Sequence, residues 1–189
     1  IRARLALRLP ELPVSLASDV CPEIREYERT STTVANAYVQ PVMAGYLARL
    51  ERALAHLKIR CPFYLMTSGG GLTTLAAAIR HPVRLIESGP AGGAILASGI
   101  ARALDRDAVL SFDMGGTTAK ICLIDHGRPE TSRSFEVDRS ARFMKGSGLP
   151  LRIPVIEMVE IGAGGGSIAA VDALGRLRVG PESAGSAPG

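Results

Sequence analysis

"LSFDMGGTTAKICLID", Leu110–Asp125, is the stretch whose reading decides the fold. An apolar run ends on Asp113, passes through Gly115, Gly116, Thr117 and Thr118, and becomes apolar again. Apolar runs on either side of turn residues predict two buried antiparallel strands, Ala108–Asp113 and Ala119–Asp125, with the turn at Met114–Thr117. After a second turn at His126–Pro129, a third strand is expected over Glu130–Val137, completing an antiparallel meander. The first turn carries the chemistry. Gly115 and Gly116 lack a Cβ, so a phosphate can approach the backbone closely. Their N–H groups can form an anion-binding nest, and the hydroxyls of Thr117 and Thr118 can donate to phosphate oxygens. Asp113, at a strand end, can hold a magnesium or other divalent ion directly or through water, which makes it the candidate catalytic and metal-binding residue. Lys120 adds positive charge if it faces the turn. The residues leave a second reading open, a glycine hairpin with a capping aspartate, because a short glycine motif is a weak signal.

Upstream, "GPAGGAILASGIARAL" predicts a helix of small residues with Pro90 in its first turn, a favoured place for proline. Its glycines between Gly89 and Gly99 cost up to about 1 kcal/mol each in a helix interior, so the close approach of a backbone or a ligand is expected there. "STTVANAYVQPVMAGYLARLERALAHLKI" carries the strongest helical signal. Ser31, Thr32 and Thr33 can cap it, Pro41 is expected to kink it or to start its second part, and Met43, Leu47, Leu50, Leu54 and Leu57 mark one face as ordinary core. Before it lie a helix bearing Arg2, Arg4 and Arg8 and a short strand at Val14–Leu16. After it come a strand at Phe63–Met66, a tight glycine turn at Ser68, Gly69, Gly70 and Gly71, a short helix "TTLAAAIRHP" closed by Pro82, and a strand "VRLIES". Downstream of the meander stand a polar, basic loop, "LRIPVIEMVEI", the loop "GAGGGS", and a hairpin "IAAVDALGRLRVG" turning at Ala173–Gly175. Glu157 and Glu160 flank the glycine loop as possible acid–base or metal groups, or as solvated surface acids.

Composition excludes several classes. Hydrophobic stretches break well before the roughly 18 residues of a membrane span. The net charge is +4, but the arginines are scattered without interleaved aromatics, which argues against nucleic acid as a partner. Cys21, Cys61 and Cys122 form no Cys-x-x-Cys pair, so neither a zinc site nor a disulfide framework is supported; a reducing cytoplasm fits. His56, His81 and His126 lack metal-ligand spacing. A start at Ile1 without a signal-peptide pattern and a loop-like end, "ESAGSAPG", read as a piece of a longer chain.

A helix of small residues leading into an Asp-x-Gly-Gly-Thr hairpin resembles the actin-like ATPase superfamily, which includes sugar kinases and heat-shock ATPases. More specifically, "EYERTSTTVANAYVQP", "TSGGGLTT", "ESGPAGGA", "SFDMGGTTAKICLID", "VEIGAGGGSIAAVD" and "RVGPESAGS" resemble, in family order, the hydantoinase A / 5-oxoprolinase family, which also contains subunits of ATP-dependent ketone carboxylases. The resemblance implies an α/β, partial actin-like (ribonuclease H-like) fold, a mixed sheet with an antiparallel meander flanked by helices. Residues 1–107 would form its helical and connecting part, and 108–189 its phosphate-binding and glycine-loop part. It implies ATP and Mg2+ as cofactors, and a reaction in which phosphorylation of a cyclic amide carbonyl prepares ring-opening hydrolysis. The alternatives are the ATP-binding subunit of a ketone carboxylase, or an actin-like ATPase that drives a partner protein. A cyclic amide or ketone substrate and a hydantoinase B-type partner subunit or domain follow.

Carried over by position, Asp113, Gly115, Gly116, Thr117 and Thr118 match the family's phosphate turn. Ser68, Gly69, Gly70 and Gly71 match its earlier glycine turn, Ser88 and Gly89 the entry to the connecting helix, and Gly164, Gly165, Gly166 and Ser167 its later glycine loop. That loop can host phosphate or substrate, or simply turn. Many members read Gly-Gly-Thr-Ser-Thr-Asp where this chain reads "GGTTAK", so Lys120 stands in place of a second acid. The first phosphate motif is expected upstream of Ile1 and the adenosine-binding segment beyond Gly189, so the isolated piece is expected to be inactive.

Overall fold

The computed structural model describes residues 1–140, 144 and 146–185; part of the basic loop and the end of "RVGPESAGS", with the tail after it, lie outside the described residues. In chain order the helices are α1 (Arg2–Arg8), α2 (Ala17–Val20), α3 (Glu26–His56), α4 (Leu75–Arg80) and α5 (Ser88–Ala103), with a 3-10 turn at Pro82–Leu85. Strands β1 (Leu65–Met66) and β2 (Leu72–Thr73) precede α4. After α5 come β3 (Ala108–Met114), β4 (Ala119–Asp125), β5 (Arg128–Pro129), β6 (Thr131–Ser132) and β7 (Phe135–Val137). They are followed by β8 (Leu149–Leu151), β9 (Val155–Ile156), β10 (Val159–Ile161), β11 (Ser167–Val171) and β12 (Leu177–Ser183). The fold is mixed α/β with antiparallel ladders. Two compact units form, Ile1–Ala91 with Thr131–Val155, and Gly92–Glu130 with Ile156–Gly189.

The first unit is organised by α3. Its helix begins at Glu26, with Glu26 and Glu28 in the first turn, where acidic side chains suit the positive end of the helix dipole. Ser31, Thr32 and Thr33 are therefore interior and not caps. Thr32 and Thr33 donate back to the carbonyls of Glu28 and Arg29 at 2.6 and 2.7 Å, and the Ser31 hydroxyl lies between the Glu28 and Pro150 carbonyls. The helix runs on through Pro41. On the apolar face Leu47 is buried, Met43, Leu50 and Leu54 are half-buried, and Leu57 is exposed. The firmest anchor is polar. Asn36, 0% exposed, donates to Ser15 Oγ at 2.9 Å and to the Arg80 carbonyl at 3.1 Å, and accepts from Val83 N–H at 3.3 Å. One turn away Thr32 accepts from Arg152 N–H at 2.8 Å, and one turn further Gln40 donates to the Ile79 carbonyl. Spacing of four puts all three on one helix face. Val20, Val83, Leu151, Ile153 and Val155 form the apolar core of this unit.

Two short strands expected here do not form. Leu16 is extended, but no neighbouring strand pairs with Val14–Leu16 among the described residues; Ser15 docks on α3 instead. "VRLIES" opens with a 3-10 turn because Pro82 at its start fixes a helical φ.

The second unit is built on the β3–β4 hairpin, in register from Ala108↔Asp125 to Met114↔Ala119. The third strand beside β4 is not Glu130–Val137. Pro129 and a Ser132 side-chain turn that captures Ser134 N–H at 3.2 Å break that segment into β5, β6 and β7, and β7 pairs β8 in the first unit. The edge of β4 next to the turn is taken by β10, with Val159↔Ile121, Glu160↔Lys120 and Ile161↔Ala119. Nor is β3 buried on both faces: it lies at the sheet edge, and Leu110, Phe112 and Met114 are exposed. The hairpin's far end is fixed to α5, where Ser98 and Arg102 donate to the Gly127 carbonyl at 2.5 and 2.9 Å. No described helix is long and apolar enough to cross a membrane.

Candidate functional site

Strand register places Asp113, Lys120 and Glu160 in one row across β3, β4 and β10. Directly opposed residues share a sheet face with Cβ atoms roughly 4.5–5.5 Å apart, so Lys120 is flanked in the row by an acidic residue on each neighbouring strand. Lys120 Nζ lies 3.9 Å from Glu160 Oε1, with the lysine side chain 15% exposed and the glutamate 55%. Asp113 is exposed. Glu157 lies outside the row. Its backbone N–H bonds the Glu130 carbonyl, and its side chain faces solvent. Two residues behind Lys120 on β4, burial pushes the Cys122 thiol above its ordinary value and so favours its protonated form. Among the described residues no group of three or more His, Cys, Asp or Glu side chains could hold a metal ion. Asp113 could offer a divalent ion one carboxylate, and magnesium is commonly held by one or two carboxylates together with water and phosphate oxygens.

The turn and the glycine loop meet because β10 ends beside the turn, and the chain leaving it reaches Gly164 three residues later. Backbone hydrogen bonds join them: Gly165 N–H donates to the Gly115 carbonyl at 2.9 Å, and Gly166 N–H to the Gly116 carbonyl at 2.8 Å. Within the loop, Gly164 N–H donates to Ser167 Oγ and Ser167 N–H to the Gly164 carbonyl. All four amides of 164–167 are therefore committed inside the protein. Gly115 N–H is also committed, to the Thr118 carbonyl at 2.9 Å, so the expected nest does not start at Gly115. Among the described residues, the amides of Gly116, Thr117 and Thr118 and both threonine hydroxyls have no protein partner. A Cβ on Gly116 would meet nothing within 4 Å, and one on Gly115 only the Thr118 carbonyl at 3.8 Å. Open donors, open space and an exposed carboxylate suit a phosphate with its counter-ion.

The family profile for hydantoinase/oxoprolinase matches residues 29–189, which includes the turn, the row and the loop. The chain belongs to the hydantoinase/oxoprolinase family. It is similar to an uncharacterised protein of Methanocaldococcus jannaschii, 45% identical over 90% of this chain and 26% of that protein. It is also similar to caprolactamase subunit alpha of Pseudomonas jessenii, 38% identical over 99% of this chain and 26% of the relative. The crystal structure of the ATP-dependent caprolactamase from that organism matches 100% of this chain and 26% of its own, with a TM-score of 0.72 and 37% identity. A nucleotide-free structure of acetone carboxylase, an ATP-dependent system, matches 89% of this chain and 22% of its own, with a TM-score of 0.70 and 28% identity. The chain thus spans about a quarter of the length of these relatives.

In this hydantoinase/oxoprolinase chain the other expected site residues lie in the first unit. Ser68 is 1% exposed. Its hydroxyl reaches the Pro154 carbonyl at 2.8 Å and the Arg84 carbonyl at 3.1 Å, so it holds main chain together and has no donor left for a ligand. A Cβ on Gly69 would crowd Pro154 Cβ at 3.2 Å, and Gly70 has a φ of 80°, which favours glycine. Gly71 closes the turn, its carbonyl accepting from Thr67 N–H at 2.8 Å. Ser88 and Gly89 open α5. At Gly89, Gly93 and Gly99 a Cβ would meet nothing within 4 Å, so the close backbone approach expected along α5 is absent at these positions among the described residues. The reading of residues alone did not foresee the joining of the 115–116 and 164–166 backbones. Its one sequence signal is three consecutive glycines shortly after a strand.

Proposed function

We propose that the full-length protein is an ATP-dependent enzyme that activates a cyclic amide carbonyl for ring-opening hydrolysis, and that this chain supplies one wall of its nucleotide site. The observation that carries the proposal is the turn at Gly116–Thr118, whose donors remain uncommitted among the described residues beside an exposed Asp113, while the amides of Gly115 and of 164–167 are taken. On this reading the β3–β4 hairpin and α5 are part of an actin-like ATPase fold, with a second phosphate motif and further nucleotide contacts elsewhere in the longer protein.

ATP, when bound, would supply a phosphoryl group to the carbonyl oxygen, which leaves in phosphate as the ring C–N bond breaks and its nitrogen takes up a proton, while two waters supply both oxygens of the new carboxylate. The residues of this chain do the positioning and charge neutralisation that dominate such transfers. The amides of Gly116, Thr117 and Thr118 and the two hydroxyls hold phosphate oxygens. Asp113 orients the divalent ion. Lys120, steadied by Glu160, contributes the positive charge that a member with an acid at this position lacks. Gly115 shapes the turn, and Ser88 and Gly89 begin the helix that follows the first unit's last turn. The amide substrate is favoured by identity, 38% to the caprolactamase subunit against 28% to the acetone carboxylase structure. The relative's designation as a subunit supports a partner, which we assign to the hydantoinase B type, and a cytoplasmic setting fits such an assembly. A ketone carboxylase subunit is the second reading, favoured by the comparable TM-score of 0.70.

The test is ATP turnover by the full-length protein with its partner, across lactams, 5-oxoproline, hydantoins and ketones, with and without bicarbonate. Turnover stimulated by a cyclic amide without bicarbonate supports the hydrolase. Stimulation by a ketone with bicarbonate moves the assignment to a carboxylase, and stimulation by a protein alone removes small-molecule chemistry.

A further inference from the structure

We infer that the Gly164–Ser167 loop is a clamp that sets the shape of the phosphate turn, and that Gly164 is a positioning residue and not a ligand contact. Three features carry this. First, a Cβ on Gly164 would lie 2.6 Å from the Gly115 carbonyl oxygen and 2.7 Å from both Gly116 C and Thr117 N. Those are backbone atoms that no side-chain movement can clear, so only glycine allows the two chains to cross this closely. Second, the crossing is bonded by the two residues that follow Gly164, with Gly165 N–H donating to the Gly115 carbonyl and Gly166 N–H to the Gly116 carbonyl. Third, the loop is backed from its far side. Ala184 N–H donates to the Gly166 carbonyl at 2.8 Å, and a Cβ on Gly166 would lie 3.0 Å from the Gly116 carbonyl oxygen and 3.1 Å from Ser183 Oγ.

The turn is thus one layer of a three-layer backbone stack: 115–116, then 164–166, then 183–184. A turn containing two glycines has wide conformational freedom when alone. Bonding its carbonyls to the clamp removes much of that freedom before any ligand arrives, and the trans peptides point the amides of 116 and 117 opposite to the committed carbonyls. This is preorganisation, which reduces the ordering cost of binding. Gly165 has a different status. A Cβ there would meet only the Gly115 carbonyl, at an ordinary 3.7 Å, so the clamp tolerates a side chain at 165 and not at 164. A loop that touched a ligand directly would be sensitive at both.

The consequence for ATP rests on the nucleotide reading above; the clamp itself does not, and the experiment separates them. In the full-length protein, residue-resolved hydrogen exchange is measured at the Gly115 and Gly166 amides for wild type, Gly164→Ala, Ser167→Ala and Gly165→Ala, alongside MgATP affinity. Gly164→Ala is expected to speed exchange at both amides by at least about tenfold, as local opening becomes easier, and to weaken MgATP by a similar factor. Ser167→Ala, which removes the Gly164 N–H acceptor, is expected to give about fivefold, the worth of one hydrogen bond, and it carries the test if Gly164→Ala does not fold. Gly165→Ala is expected to match wild type in both measurements. Unchanged exchange in Gly164→Ala and Ser167→Ala overturns the clamp, as does equal loss of MgATP affinity in Gly164→Ala and Gly165→Ala without faster exchange. The expected exchange pattern in a protein whose wild type binds no nucleotide upholds the clamp and removes the nucleotide reading.

Discussion

At Gly116 a methyl group would meet no protein atom within 4 Å, whereas at Gly164 it would press on the backbone of the turn. The fold itself therefore demands glycine at 164, whereas at 116 it leaves open space that the proposed phosphate would fill. Gly116→Ala is expected to leave the melting temperature within about 2 °C of wild type, since surface changes rarely exceed ~0.5 kcal/mol, while MgATP affinity falls about tenfold or more as the methyl occupies phosphate space. Calorimetric titration of the folded variant checks this, and wild-type affinity would refute it. Asp113 is exposed and pairs in register with Lys120. Asp113→Asn is expected to keep the fold and to lower kcat about a hundredfold or more, because a neutral amide holds a cation poorly. An unchanged rate at saturating magnesium and ATP would exclude the metal role. The residues from Asp113 to Thr118 were legible as a turn between two strands, while their types alone left a phosphate turn and a plain glycine hairpin both open. Which of their amides remain open was not legible, because that depends on hydrogen bonds from a loop about fifty residues away in which no side chain of the turn takes part.

Among the elements, α3 teaches the most about what periodicity misses. Its apolar stripe was plain, yet Leu57 ends up exposed while Asn36, an unremarkable letter in the sequence, is wholly buried and bonded to three segments. Asn36→Ala strands the Arg80 carbonyl and the Val83 amide, and is expected to cost about 2–3 kcal/mol in urea unfolding; Leu57→Ser is expected to stay within ~0.5 kcal/mol. Beside α4, burial and then the nearby Arg84 and Arg80 hold the His81 imidazole below its ordinary value, with Asp19 pulling the other way. A folded pKa below the unfolded one means that the unfolded chain binds more protons. The stabilising contribution is thus complete above the ordinary value near 6.5 and is lost as pH falls. His81→Gln is expected to flatten the decline in stability between about pH 7 and 5, read from denaturation midpoints; an unaltered slope would contradict it. The hairpin of β3 and β4 was legible from its apolar runs and its turn. The strand that completes their sheet was not, since β10 is three residues long, exposed, and separated from β4 by the whole of β5 to β9.

For the whole molecule, the family was legible because several short motifs recur in order, a far more specific signal than any one glycine turn. The division into two units was not, because each unit takes two separate stretches of chain, and nothing in local composition marks where a chain leaves one unit and later returns. Under the proposed function, this chain would supply one wall of the nucleotide site of a longer, amide-opening enzyme. The central claim is that ATP acts on the carbonyl oxygen of the amide. The most direct measurement uses a lactam or 5-oxoproline labelled with oxygen-18 at the ring carbonyl, turned over by the full-length protein with its partner. The account predicts that the label leaves in inorganic phosphate, about one labelled oxygen per ring opened, since phosphoryl transfer to that oxygen makes it the leaving group. Unlabelled phosphate released in step with ring opening would contradict it.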